Sequence, residues 1–146
     1  MNNKTMSEFV IGVTGHRDIA ATEVDGLRDS VRAALSDIAG RFSAMPVRIV
    51  TGLAEGADTV VTEIALELGL KVTAVLPMPR DAYADDFAGA ALDTLNALLE
   101  NPDVEVREMP AIADLTTAEG RDAQYAMLGD YLIRRPNLLL AIWDGE

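Results

Sequence analysis

Five short runs rich in Val, Ile and Leu, separated by four segments of helical periodicity, constrain this chain more than any other feature. The runs are Phe9 to Thr14, Val47 to Thr51, Lys71 to Leu76, Val104 to Glu108 and Asn137 to Trp143. Runs of this kind read as strands buried on both faces. Between the first two, Val24, Leu27, Val31, Leu35 and Ile38 recur at helical spacing, and Thr22 with Asp25 resembles a capping box at the helix start. A second helix is expected from Glu55 to Leu68, with Gly69 as its stop signal, a third over Tyr83 to Leu99 after Pro77 and Pro79, and a fourth over Thr117 to Arg134, ended by Pro136. Strand alternating with helix predicts a parallel sheet with right-handed crossovers. The expected fold class is α/β: a Rossmann-like three-layer α/β/α sandwich with a parallel sheet of about five strands, in the order 3-2-1-4-5.

At 146 residues, nearly half of them apolar, the chain is long enough to bury one core. Residues 1–8 read as an N-terminal tail and residues 9–146 as one domain, with no repeat or linker. No apolar stretch approaches membrane-spanning length, and Met1 to Ser7 lacks the hydrophobic segment of a secretory signal. The absence of cysteine fits a reducing compartment, so the expected location is cytoplasmic, with no membrane partner. Twenty-four acidic against 12 basic side chains give a formal net charge of −12, which repels a polyanion. Nucleic acid is therefore not an expected partner, and any phosphate that binds should be small and held locally, with Arg17, Arg80, Arg121, Arg134 and Arg135 as sources of positive potential.

Two glycine turns, Thr14-Gly15-His16-Arg17 and Thr51-Gly52-Leu53-Ala54-Glu55-Gly56-Ala57-Asp58, leave strand ends and lead into helices. Helices that start there aim free N–H groups and a positive dipole end at an anion, so this rim is where a nucleotide phosphate would bind. Ile142-Trp143-Asp144-Gly145 is a third strand end on the same rim. His16 can donate to a phosphate or merely bond its neighbours in the turn, and Arg17 can fork onto two phosphate oxygens or pair with Asp18 or another carboxylate. Gly52 and Gly56 serve close approach or simply turn geometry. Glu55 and Asp58, three residues apart at a helix start, suit a ribose hydroxyl or a glycosidic bond, but acidic residues also favour that position for dipole reasons alone. Asp144 at a strand end is the stronger functional carboxylate, and Trp143 reads as core before stacking platform. Asp81, Asp85 and Asp86 suit water-mediated magnesium but read first as a solvated helix start, so no metal is expected. Tyr125 and Tyr131, six apart, do not share a helical face.

These turns, with Leu76-Pro77-Met78-Pro79-Arg80 and the last strand end, resemble the SLOG superfamily of Rossmann-like domains, over nearly everything from Phe9 onward. That superfamily groups DNA-processing A proteins, LOG-type nucleotide enzymes and ligand-sensing domains of bacterial conflict systems. The resemblance implies a pocket for a nucleotide or nucleotide-derived ligand, with no further cofactor required. Its residues would be Thr14, Gly15, His16 and Arg17 in the first loop, and Gly52, Glu55, Gly56, Ala57 and Asp58 in the second. Arg80 in the third loop and Trp143, Asp144 and Gly145 at the strand end complete the implied set, with Tyr125, Gly129 and Tyr131 in a tyrosine and glycine pattern before the last strand. Self-association into a homo-oligomer is also implied.

In the hydrolytic LOG branch the strand-end motif is followed by a Pro-Gly-Gly-x-Gly-Thr type loop with a carboxylate. This sequence stops at Glu146, so the resemblance implies a domain that is truncated or unusually short at its C-terminus, and a hydrolase loses its main support. The leading expectation is a binding or sensing module for a nucleotide-type ligand. The alternative is a nucleotide N-glycosidic hydrolase of the phosphoribohydrolase type, with Glu55, Asp58 or Asp144 stabilising a ribosyl cation.

Overall fold

The structure is a computed structural model, and it describes residues 8–15 and 19–142. Five strands, β1 (Phe9–Gly15), β2 (Val47–Thr51), β3 (Lys71–Leu76), β4 (Val104–Glu108) and β5 (Leu138–Ile142), form one sheet in which every pairing is parallel. The helices are α1 (Val24–Arg41), α2 (Ala57–Glu67), α3 (Arg80–Ala84), α4 (Gly89–Leu99) and α5 (Ala118–Arg134), with a short 3-10 turn at Ala21–Glu23. The result is the three-layer α/β/α arrangement of a Rossmann-like fold.

The strand order is β4-β3-β2-β1-β5, which corrects the expected 3-2-1-4-5. β1 to β4 step outward in one direction, and only the final crossover returns, to set β5 beside β1. Asn137 pins that return. Its side-chain Oδ1 accepts from the Val10 N–H at 2.8 Å, while its own N–H donates to the Val10 carbonyl at 2.8 Å. Because parallel crossovers keep one hand, the reversal puts α5 on the opposite face from the helices before it.

The two faces are unequal for that reason. Ile11, Val13, Ile49, Val72, Ala74 and Leu76 point to one face and share a buried cluster with Val31 and Leu35 of α1, Val61 and Ile64 of α2, and Leu95 of α4. The intervening residues point to α5, where Val50 and Val75 meet Leu128 and Leu132 in a smaller cluster. Burying each large aliphatic side chain contributes about 1.5–3 kcal/mol, so the first face carries most of the apolar stabilisation. Two close approaches seat α5: a Cβ at Gly12 would lie 2.5 Å from Pro136 Cγ, and one at Gly52 2.6 Å from Leu128 Cδ2.

Three further expectations change. β4 and β5 are edge strands, and most of their side chains are exposed or half-exposed, where apolar runs buried on both faces were expected. The expected third helix is two, because Phe87 and Ala88 fall between α3 and α4. The Thr22–Asp25 capping box does not form: Thr22 lies in the 3-10 turn, and α1 begins after Glu23 with no side-chain cap. At the far end of α2, Gly69 at φ 76° is the stop that the sequence indicates, in a backbone region that L side chains rarely adopt.

Candidate functional site

The loop from β2 to α2 is fixed from several directions. Thr51 Oγ1 accepts from the Leu53 N–H at 3.1 Å, and the Tyr83 hydroxyl donates to the Gly52 carbonyl at 3.0 Å. Leu53 adopts φ 56°, a left-handed conformation that costs a branched residue about 1–2 kcal/mol. Burial of its side chain at 1 % exposure offsets that strain. Gly56, at φ 92°, then turns the chain into α2. Asp58, buried in the first turn of α2, accepts from the Ala54 N–H through Oδ2 at 3.2 Å. The N-terminus of α2 therefore already has a carboxylate of its own beside it, as the dipole reading of Asp58 anticipates.

Between this loop, the end of β1 and α5 lies a cavity of about 230 Å³. Thr14 and Gly15 supply one wall, Gly52 and Asp58 a second, Tyr83 the floor beside them, and Tyr125 with Gly129 the α5 wall. Ala57 stands behind Gly15, where a Cβ would come within 2.6 Å of it. No arginine or lysine lines the cavity among the described residues. Tyr125 is oriented from its outer end: its hydroxyl donates to Asp86, and Asp86 pairs with Arg121 at 2.9 Å. Arg121 also donates to the Ala82 carbonyl at 2.8 Å and the Leu115 carbonyl at 3.2 Å, which ties α5 to the α3 segment. The hydrogen bond to Asp86 raises the Arg121 pKa against the opposing effect of burial.

Gln124, fully buried on α5, holds the next loop in place. Its Nε2 donates to the carbonyls of Pro77 at 2.7 Å and Pro110 at 3.0 Å, and its Oε1 accepts from the N–H groups of Ile112 and Ala113, each at 3.1 Å.

The expected site residues divide. Thr14, Gly15, Gly52 and Asp58 come together around one cavity, with Ala57 directly behind. Glu55 and Gly56 face a different one, also about 230 Å³, on the other side of the same loop with Leu53, Phe87 and Leu95. Glu55 and Asp58, adjacent in the sequence pattern, thus look into separate spaces. Arg80 turns to the end of α4, where it donates to Asn96 Oδ1 at 3.0 Å and pairs with Glu100 at 3.1 Å. His16, Arg17, Trp143, Asp144 and Gly145 lie outside the described residues. Tyr83 and Leu128 contribute walls that the sequence reading did not single out. Tyr83 was open to discovery as the aromatic residue following the proline-flanked loop at the end of the third strand. Leu128 looked like any core residue.

Among the described residues, no helix is long and apolar enough to cross a membrane. No protein-family model matches this chain, and no curated protein matches its sequence.

Proposed function

We propose that the chain binds a nucleotide or nucleotide-derived small molecule at the β1/β2 rim and acts as a ligand sensor. The observation that carries this reading is the cavity beside α5, at the carboxyl ends of the two central strands, where open α/β sheets take their ligands. Two tyrosine rings and a buried carboxylate offer an apolar surface and an acceptor for a ribose hydroxyl or an amino group. A lining with no lysine or arginine among its described residues suits the nucleoside part of the ligand. His16 and Arg17, which follow Gly15 directly in the sequence, have the chemistry to take its phosphate. The resemblance to the SLOG superfamily points to the same ligand class, to self-association and, with the absence of cysteine, to the cytoplasm.

The alternative reading, cleavage of an N-glycosidic bond, draws its support from Asp58 alone among the described carboxylates. Glu55 faces the other cavity, and Asp58 is itself engaged by the Ala54 amide.

Thermal shift against nucleoside mono-, di- and triphosphates and cyclic or ADP-ribose-type nucleotides tests both, since binding to the native state raises its apparent stability. The sensor reading expects a stabilising ligand that mass spectrometry recovers intact. Recovery as free base plus ribose phosphate, lost in Asp58→Asn, supports the hydrolase instead. No shift with any member of the panel removes both.

A further inference from the structure

We propose that Gly129 is a specificity-determining position, whose missing side chain leaves a slot against the α5 backbone, beside the Tyr125 ring, for an uncharged planar ring such as a nucleobase. This deepens the nucleotide-binding reading and rests on it.

Gly129 sits well inside the 17-residue α5. Glycine there destabilises a helix relative to alanine, so a compensating reason is needed. Two common reasons do not apply. The Gly129 backbone is not left-handed, and a Cβ built on it meets no described atom within 4 Å. The contrast with its neighbours is direct. On the same helix, a Cβ at Gly120 would fall 1.8 Å from the Asp114 carbonyl oxygen, and across the cavity one at Gly52 would strike Leu128. Those two glycines are explained by packing, and Gly129 is not.

What Gly129 does border is the rim cavity. Tyr125 lies one turn earlier on the same helix face and lines the same space. An aromatic ring beside a strip of bare backbone offers a flat, apolar surface, the geometry that planar rings use when they stack. The absence of lysine and arginine from the described lining fits an uncharged group in this part of the ligand.

Gly26 and Gly40 of α1 supply the controls. A Cβ at either also meets no described atom within 4 Å, but both are exposed and neither is among the residues that line this cavity. The experiment compares the full chain with Gly129→Ala, Gly129→Leu, Gly26→Ala and Gly40→Ala, by melting and by amide NMR titration with adenosine, AMP and indole. All three alanine variants are expected to melt at or a few degrees above the parent, the two near helix ends shifting less. Adenosine binding is expected to weaken about tenfold in Gly129→Ala and to vanish in Gly129→Leu, unchanged in the α1 variants. A lower melting temperature for Gly129→Ala would overturn the slot, because glycine would then be a structural need. So would equal adenosine binding by parent and Gly129→Leu, which leaves the nucleotide reading intact. If the parent holds indole, loses it in Gly129→Leu and ignores adenosine and AMP, the slot stands and the nucleotide reading falls. Indifference to all three probes removes both.

Discussion

The two cavities on the α5 side of the sheet lie toward opposite ends of the strands and are built in opposite ways. The one nearer the amino ends is larger, about 300 Å³ against about 230 Å³ at the rim. Its polar groups are already committed to one another. Arg48 forks onto Glu8 at 2.8 and 3.0 Å and reaches Thr73 Oγ1 at 2.8 Å and Glu105 at 3.5 Å, while the Arg135 guanidinium lies 5.2 Å from the centre of the Tyr131 ring. A ligand entering there would have to break pairs that protein groups already make with one another. At the rim, the walls owe their shape to glycines, and Arg121, which meets Tyr125 through Asp86, is held on carbonyls and that carboxylate. The tyrosines of α5 mark the division, with Tyr125 in the rim cavity and Tyr131 in the other.

Removing the support beneath the rim should produce the largest effect on stability. Gln124→Leu preserves size but leaves two carbonyls and two amides without the partners they have now, at about 1–3 kcal/mol for each group that stays dry. With part of that recovered by hydration, a loss of about 3 kcal/mol in urea unfolding is expected. Arg48→Met, at the other end, removes more charge but acts on partly exposed carboxylates, and Thr73 keeps its bond to Glu105, so it should cost no more than about 1 kcal/mol. Equal losses in the two variants would break the comparison.

A smaller, sharper contrast uses two tyrosines. Tyr83→Phe keeps the ring and its edge-on contact with Phe87 at 4.9 Å but deletes the bond to the Gly52 carbonyl. The expected loss is about 1 kcal/mol, accompanied by weaker binding of whichever nucleotide shifts the parent's melting temperature. Tyr131→Phe should leave both quantities near the parent values. If Tyr131→Phe weakened binding and Tyr83→Phe did not, the ligand would belong to the other cavity.

The central strands were legible because each is a largely apolar run flanked by turn residues, and β1 to β3 are buried much as such runs predict. β4 and β5 differ in exposure: the alternating charges of Val104 to Glu108 already suit an edge strand, whereas nothing within the wholly apolar Leu138 to Ile142 marks it as one. Strand order escaped for a related reason: it depends on where the last crossover returns, and the residue that pins it, Asn137, looks like an ordinary turn residue. The rim and most of its glycines were readable because loops at the carboxyl ends of parallel strands converge whatever the order. Glu55 and Asp58 show the limit. Their spacing places them on one turn, but the loop backbone, with Leu53 and Gly56 in unusual conformations, sends them to different cavities. Gln124 was invisible because its four partners are backbone groups outside its own helix, which no residue pattern marks.

The smallest effect expected is on acid stability, and the amino end is where it is tested. Arg48 hydrogen bonds hold the Glu8 carboxyl below the ordinary glutamate range, against the upward push of burial, and Arg107 does the same for Glu105. A carboxylate whose folded pKa lies below its unfolded value binds fewer protons when folded. Its contribution is present in full above the ordinary glutamate range and is lost as pH falls through the depressed value. Urea midpoints taken at neutral pH and again below that range should therefore converge for the parent and Glu8→Gln, having differed by less than about 1 kcal/mol at neutral pH. Arg48→Met should remove the same acid dependence, and the double variant should add little, because both act on one pair. Nucleotide binding by Glu8→Gln should match the parent at neutral pH, since Glu8 borders the amino-end cavity and not the rim cavity. Loss of binding in that variant would mean that the paired charges serve the ligand after all, and the division between the two ends would fail.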